Sequence, residues 1–479
     1  MDFKKIIEQL MHYLPAQIAP AIINLIIIMI LTRNFTVELY GEYVLITTLI
    51  TFSVTIFTQW LMQSILFYRP KYIESNLKNE FNLHLDVIIN MFFIIGIVVL
   101  LLLIACNTLF VNVTLYIFCV LIILVQSIFT IEQVILQSDL QSGKYAKRIF
   151  MSSLLRLVGI GLLAMSNINL INVLLVISIS YIVFILPKMK KYMIKKKSTT
   201  STKQFLKTML TYGLPMLGWF LSISIIDVAD RLLIEYFHGS KAVGLYAGNY
   251  SIISAALALV FAPLTIVIHP LLMKLGVNVI EQKKKIEQLI SKFTTIFFIV
   301  GLPIIVLVHK FRKEIAYLFL GEQYVVASDL ITIVMLGIFL WNLAMVGHKG
   351  MEIINKTKVM LYFAIASCLT SLLLNIFLIK YYSYMGAAYG NMIAFSLYCL
   401  LVYVYSIRNI KWKWNLKEIL LISCCSALML LFVGLFNINL EEGIVKSIAG
   451  IILISLGALL VYTTSLLALM KMKLINIRF

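Results

Sequence analysis

The chain has 479 residues, 62% of them apolar and 13% charged, with a formal net charge of +19. A soluble domain holds roughly 45–50% apolar and about 25% charged residues, so these figures exclude both a soluble globular protein and a disordered chain. The positive charge does not point to nucleic acid, because Lys and Arg of membrane proteins gather in cytoplasmic loops.

At the N-terminus, Phe3, Ile6, Ile7, Leu10, Met11 and Leu14 recur at helical spacing, with Lys4, Lys5 and Glu8 between them. This predicts an amphipathic helix over 1–13 on the inner membrane surface. Apolar runs then predict fourteen membrane-spanning segments at 14–33, 42–66, 85–106, 111–136, 147–166, 170–187, 209–236, 243–272, 290–309, 325–350, 357–379, 384–407, 417–436 and 444–469. At about 20 residues each, they leave no room for a sizeable soluble domain. The first run is long for a signal-peptide core and is followed by Thr32-Arg33-Asn34-Phe35 rather than a small-residue cleavage site, so it reads as a retained helix. Cys106, Cys119, Cys368, Cys399, Cys424 and Cys425 form no CxxC pair and read as small core residues, not a disulfide or metal framework.

Loop charges orient the chain. With both termini cytoplasmic, 31 Lys and Arg fall inside, 7 fall outside, and Arg156 and Arg231 lie within spans. That asymmetry is the positive-inside pattern, and its outlier is the outer cluster Lys310–Lys313.

The chain also repeats. KKIIEQLMHYLP precedes the first span and KQFLKTMLTYGLP the seventh; YGEY (40–43) follows the first and VGLY (243–246) the seventh. GKYAKR and NKTK break the chain before the fifth and eleventh spans. The fold class is therefore an all-α integral membrane protein with 14 transmembrane helices, as two parallel six-helix repeats plus two C-terminal helices. The domains are an interfacial helix (1–13), a six-helix bundle (14–187), a basic cytoplasmic linker (188–208), a second six-helix bundle (209–407) and two added helices (408–479). Such repeats place a cavity at their interface near the bilayer midplane, which makes transport by alternating access the default function.

A charge in hydrocarbon costs about 2.5–3.5 kcal/mol on insertion scales, so each one needs a reason. Arg156, midway along the fifth span, is either a cationic contact for a substrate phosphate or the partner of a buried Glu132. Ser224, Asp227, Arg231 and Glu235 form one stripe on the seventh span, with Asp230 beside it. Arg231 faces an anionic substrate while Asp227 or Asp230 takes H⁺ or Na⁺, or the stripe is a self-satisfied ion pair. Asp230 and Glu235 are expected at the interface, and Glu132 joins the aspartates as a candidate ion-coupling carboxylate. Gln126, Thr130, Gln133 and Gln137 form an uncharged stripe, and Gln59 and Gln63 flank Trp60. Amides and an aromatic ring suit sugars, although polar side chains also bond helix to helix. His269 and His348 are expected near inner helix ends. Arg33 either snorkels at the outer end of the first helix or guards the outer mouth.

No GxxxxGK[ST], HExxH or GxSxG is present, so the chain is read as no enzyme. It needs no cofactor, and transport draws on a H⁺ or Na⁺ gradient or on the substrate's own gradient.

Four stretches carry a resemblance: LTRNFTVELYGEYVLITTLI (31–50), DRLLIEYFHGSKAVGLYAGNY (230–250), FLGEQYVVASDLITIVMLGI (319–338) and LLNIFLIKYYSYMGAAYGNMIAFSL (373–397). In this order they resemble the signatures of Wzx-type flippases. These form the polysaccharide transport family of the multidrug/oligosaccharidyl-lipid/polysaccharide exporter superfamily. The resemblance implies helices arranged 6+6+2. It implies a polyprenyl-diphosphate-linked oligosaccharide, an O-antigen or capsule repeat unit, moved from the inner to the outer leaflet of the bacterial inner membrane. Cavity arginines are the family's device for the diphosphate, and Arg156 and Arg231, with Arg33, match that need. Membrane lipids, a glycan polymerase and chain-length machinery are the candidate partners. A drug exporter of the same superfamily is the runner-up, but such proteins hold cations with a carboxylate often on the first helix, where this chain has only Gln17 and Asn24. A lipid II flippase also handles a diphosphate and is poorly separated by sequence. A glycan polymerase or a structural subunit would show a large outer loop or a featureless interior.

Overall fold

The computed structural model describes residues 3–105, 112–166, 168–193, 200–276, 279–354, 356–438 and 444–472. Regular structure among them is entirely helical. Six helices come first: α1 (Phe3–Asn34), α2 (Val37–Glu74), α3 (Lys78–Ala105), α4 (Val113–Ser138), α5 (Ser142–Ala164) and α6 (Leu170–Met193). Then follow α7 (Thr200–Leu275), α8 (Val279–Lys310), α9 (Arg312–Phe319), a 3₁₀ turn (Glu322–Ala327), α10 (Leu330–Gly347), α11 (Lys349–Ile353), α12 (Thr357–Arg408), α13 (Leu416–Gly434) and α14 (Ile444–Lys471). Ten stretches among the described residues are long and apolar enough to cross a membrane, and the chain is a multi-pass membrane protein.

Two of the ten hold two predicted spans each. α7 breaks at Gly239, with φ 76° and ψ 174°, and α12 at Ser383, with φ 51° and ψ −138°. Both breaks fall in the gaps predicted between spans. The first conformation is essentially reserved for glycine. α1 and α5 stand outside the ten. The described apolar part of α1, Ile18–Asn34, is short, and α5 carries Lys144, Lys147, Arg148 and Arg156.

Other boundaries shift for local reasons. α6 runs on to Met193 and α7 begins at Thr200, so helix takes over most of the predicted basic linker; residues 194–199 lie outside the described ones. Lysine is a good helix former, and hydrogen bonding continues past the apolar stretch. For the same reason α8 begins at Val279, ahead of the predicted 290. α10 starts at Leu330 because the 3₁₀ turn after Gly321, at φ 112°, occupies the predicted start. The backbone of 3–13 continues into α1 without a break; the side chains of its predicted amphipathic face lie outside the described residues. Cys119, Cys368, Cys399, Cys424 and Cys425 are free thiols, and Cys106 lies outside the described residues.

The chain divides into two compact units, residues 1–232 and 233–479. In the first, α5 packs on α1 and α6, and α4 packs on α2, α3 and α6. The opening arm of α7 belongs to this unit. Gly213 lets it touch α2, since a Cβ there would lie 2.1 Å from the Trp60 carbonyl oxygen. Ser64 donates to the Met209 carbonyl at 2.6 Å, and Phe67 stacks on Tyr212 at 4.2 Å.

In the second unit α10 packs on α8 and α12, and α13 on α8 and α14. The arms of α12 fold back on each other at Ser383, so closely that a Cβ on Gly390 would meet the Asn375 amide at 1.9 Å. Ser371, Asn375, Asn391 and Tyr246 are linked there by buried hydrogen bonds of 3.0–3.2 Å.

Candidate functional site

The site residues legible in the sequence fall in the first unit. α5 lies so close to α6 that a Cβ on Gly159 would sit 2.5 Å from Val176. One turn before Gly159, this contact brings Arg156 over the ring of Tyr181, 5.0 Å from its centroid. Tyr181 is 7% exposed and packs against Phe129 of α4 with ring centroids 5.1 Å apart. Phe129 in turn lies under Arg148, 5.6 Å from its guanidinium carbon. Two arginines of one helix thus flank an aromatic pair.

Their partners differ. Arg148 donates to the Glu132 carboxylate at 2.9 Å and to the Phe184 carbonyl at 3.0 Å, with Glu132 only 2% exposed. This corrects the pairing weighed for Arg156: the carboxylate goes to Arg148, at the start of the same predicted span, to which the sequence reading gave no role. The missed signal was the tight turn 139–141, which folds the start of α5 back onto the end of α4 and lets residues 16 apart meet. Arg156 is half-buried, its Nε is buried without a hydrogen-bond partner, and no carboxylate pairs with it among the described residues.

Gln133 of α4 is 5% exposed, and among the described residues neither its amide oxygen nor its nitrogen has a hydrogen-bond partner. A buried amide left unbonded is costly, so this position suits a polar ligand group or water. Gln126 and Thr130 are half-buried, and the Thr130 hydroxyl donates back to the Gln126 carbonyl at 2.6 Å. Gln59 and Gln63 are half-buried on α2, whereas Trp60 is buried where α2 meets the arm of α7. The Trp60 backbone carbonyl forms part of that seam.

Arg231 is 8% exposed, and its guanidinium donates to the Asp227 carbonyl. The Asp230 carboxylate accepts from the Arg231 backbone N–H at 2.6 Å and lies 3.8 Å from its guanidinium. Asp230 is fully buried at 0% exposure, a correction to its expected interfacial place: the helix turns it into protein rather than toward lipid headgroups. Glu235, half-buried in the second unit, accepts from Ser240 at 3.0 Å. Arg33 is exposed in the last turn of α1. His348 stands at a helix end, capping α10, and is buried there between the Tyr398 hydroxyl at 3.2 Å and Glu352 at 3.0 Å; the His269 side chain lies outside the described residues.

One further cluster escaped the sequence. Arg69, 2% exposed, forks onto both oxygens of Asp139 at 2.9 and 3.2 Å and donates to Asn82 at 2.7 Å, while Lys78 reaches Asp139 at 3.1 Å. Burial alone would raise the Asp139 carboxyl, but hydrogen bonds from Arg69 and Lys78, with their charges, outweigh it and hold the carboxyl below its ordinary value. These residues tie the ends of α2, α3 and α4 together.

Residues 8–276 match a family model described as polysaccharide biosynthesis protein. A Shigella flexneri protein named "Putative O-antigen transporter" is 23% identical over 176 residues, which is 36% of this chain and 41% of that protein. The chain thus spans well under two thirds of that relative's length. Among solved structures, lipid II flippase MurJ in an inward closed conformation superposes with a TM-score of 0.71 at 17% identity, over 96% of this chain and 100% of that one. An inward-facing multidrug resistance MATE family transporter of the MOP superfamily superposes with a TM-score of 0.66 at 15% identity, over 83% and 97%. These likenesses establish a MOP-type fold.

Proposed function

Because this chain belongs to the polysaccharide biosynthesis protein family, in a multi-pass inner-membrane protein of MOP-type fold, we propose that it is a flippase. It moves polyprenyl-diphosphate-linked oligosaccharide repeat units from the cytoplasmic to the outer leaflet by alternating access, for O-antigen or capsule assembly. Its fourteen helices cross the membrane with both termini inside.

The observation that carries this reading is Arg156. A guanidinium set against the Tyr181 ring, with no carboxylate paired to it and no partner on its Nε among the described residues, suits an anionic ligand. A diphosphate supplies paired oxygens for its planar fork. Gln133, with both amide atoms unbonded, suits the sugar next to that diphosphate. Asp230, whose carboxylate lies 3.8 Å from the Arg231 guanidinium, or Asp227 one turn before, suits the coupling step, in which a carboxylate takes H⁺ or Na⁺ and loosens its hold on the arginine. A positive central charge disfavours the organic cations of a drug exporter.

The test is the leaflet distribution of lipid-linked glycans in cells lacking this gene. Repeat units trapped on the inner leaflet, with surface glycan lost, are the expected result. Normal repeat units with trapped lipid II would move the assignment to lipid II. Normal glycans of both kinds with a new sensitivity to cationic drugs would replace it with the exporter reading.

A further inference from the structure

The second unit holds a cavity of about 1040 Å³ where the connection after α12 folds against the start of α8. Its wall carries Lys283, Lys284, Lys292, Lys411 and Lys413 against Glu281, Glu287 and Glu418. Two of the carboxylates hold the wall together. Glu287 accepts from the Lys411 backbone N–H at 3.0 Å and lies 3.8 Å from the Lys413 ammonium. Glu418 accepts from the Thr295 hydroxyl at 3.1 Å. With Trp412 donating to Thr294 at 2.7 Å, the 411–418 segment is pinned to α8 at several points. The bowl is therefore a shaped one, and its lysines outnumber its carboxylates.

Beside it lies a second, apolar slot of about 270 Å³, walled by Leu340, Cys399, Leu400, Tyr403 and Trp414. Bowl and slot share one stretch of chain: Lys413 and Asn415 face the first and Trp414 the second. The Trp414 indole N–H is buried and has no hydrogen-bond partner. An anion with an apolar tail fits this pairing, and an indole at the junction can donate to a phosphate or ester oxygen. The bowl also sits where α8 changes from the charged stretch 281–292 to the apolar stretch beginning at Phe293, which is the boundary between headgroups and hydrocarbon.

We propose that this is a binding site for an anionic phospholipid, with the headgroup phosphate among the lysines and one acyl chain along the slot under Trp414. Basic pockets between membrane helices on the cytoplasmic side bind anionic headgroups, and the loop charges put this end inside. The site is separate from the arginines of the first unit and holds resident lipid rather than cargo.

The test uses the full-length protein in mixed phosphatidylglycerol and phosphatidylcholine nanodiscs of matched chain length, with retained lipid read by native mass spectrometry. About tenfold preference for phosphatidylglycerol is expected. Lys283→Gln/Lys284→Gln/Lys411→Gln, all at exposed positions, should bring the preference to about one while the melting temperature stays unchanged. Leu400→Trp, which fills the slot, should lower phosphatidylglycerol retention several-fold. Equal retention of the two lipids, or an unchanged preference in the triple variant, would overturn the site. Inorganic phosphate displacing the lipid completely at millimolar concentration would overturn the role of the chain. Lipid-linked glycan from native membranes, lost with the same lysines, would show cargo in place of phospholipid.

Discussion

Arg148 and Arg156 stand about two turns apart on α5, and each rests on one ring of the Phe129–Tyr181 pair. Arg148 also has a buried carboxylate and a carbonyl; among the described residues Arg156 pairs with neither. The first is a completed unit, charge against charge, which ties α4, α5 and α6 together. The second has, among the described residues, an aromatic face, worth about 0.5–2 kcal/mol, against about 2.5–3.5 kcal/mol for a charge placed in hydrocarbon. That imbalance is the ground for proposing Arg148 as a scaffold arginine and Arg156 as a ligand-binding one.

The comparison breaks hardest at its structural half. Glu132→Gln leaves Arg148 charged and largely buried, a change that costs about 3–5 kcal/mol. The expected result is a melting temperature lower by several degrees in detergent. Replacing both residues by Met should recover part of the loss, because the unpaired charge goes too. A single variant as stable as the parent would mean that Arg148 finds its counter-charge elsewhere.

The functional half responds differently. Arg156→Ala should insert and melt normally yet lose glycan export. A bidentate contact to a charged oxygen pair is worth about 1.5–3 kcal/mol, or roughly 10–100-fold in rate. Arg156→Lys keeps the charge without the fork and should lose less. Normal export by Arg156→Ala would remove this residue from the pathway. A smaller, mixed effect belongs to Gly159, whose Cβ would press on Val176 at 2.5 Å. Gly159→Ala should cost about 1–3 kcal/mol of stability by overpacking and reduce export only as far as it moves Arg156 away from Tyr181. An export loss as deep as that of Arg156→Ala, at unchanged stability, would show that the spacing itself matters to transport.

Much of this was legible because a membrane helix writes its length into the sequence. The breaks at Gly239 and Ser383 fall where polar residues interrupt apolar runs, and Arg156 stood out because nothing around it was charged. The partner of Glu132 was not legible. Arg148 and Arg156 both lie within reach of α4, and only the turn at 139–141 decides which one meets the carboxylate. Asp230 was misplaced because one helical stripe has two possible exteriors, lipid and protein, and spacing cannot tell them apart. The forked contact of Arg69 on Asp139 joins residues 70 apart, a closure that loop composition does not encode. The start of α8 came out too late because lysines end an apolar pattern without ending a helix.

The smallest expected effect lies in that last cluster and depends on pH. Asp139 is held below its ordinary value of 3.8 by Arg69 and Lys78. Above that value the carboxyl is ionised in folded and unfolded chains alike, and its stabilisation is complete. As pH falls below 3.8, the unfolded chain takes up the proton first. The advantage shrinks and is gone once the folded carboxyl is protonated too. Asp139→Asn imitates the protonated state at every pH. The melting temperatures of parent and variant should therefore differ by a constant amount down to about pH 4 and converge below it. Lys78 is 44% exposed, and such pairs contribute little, so the gap should come mainly from the buried fork of Arg69. Arg69→Lys, which keeps the charge but not the fork, should close most of it. A gap that stayed constant through pH 3 would mean that Asp139 stabilises the unit by packing rather than by its charge.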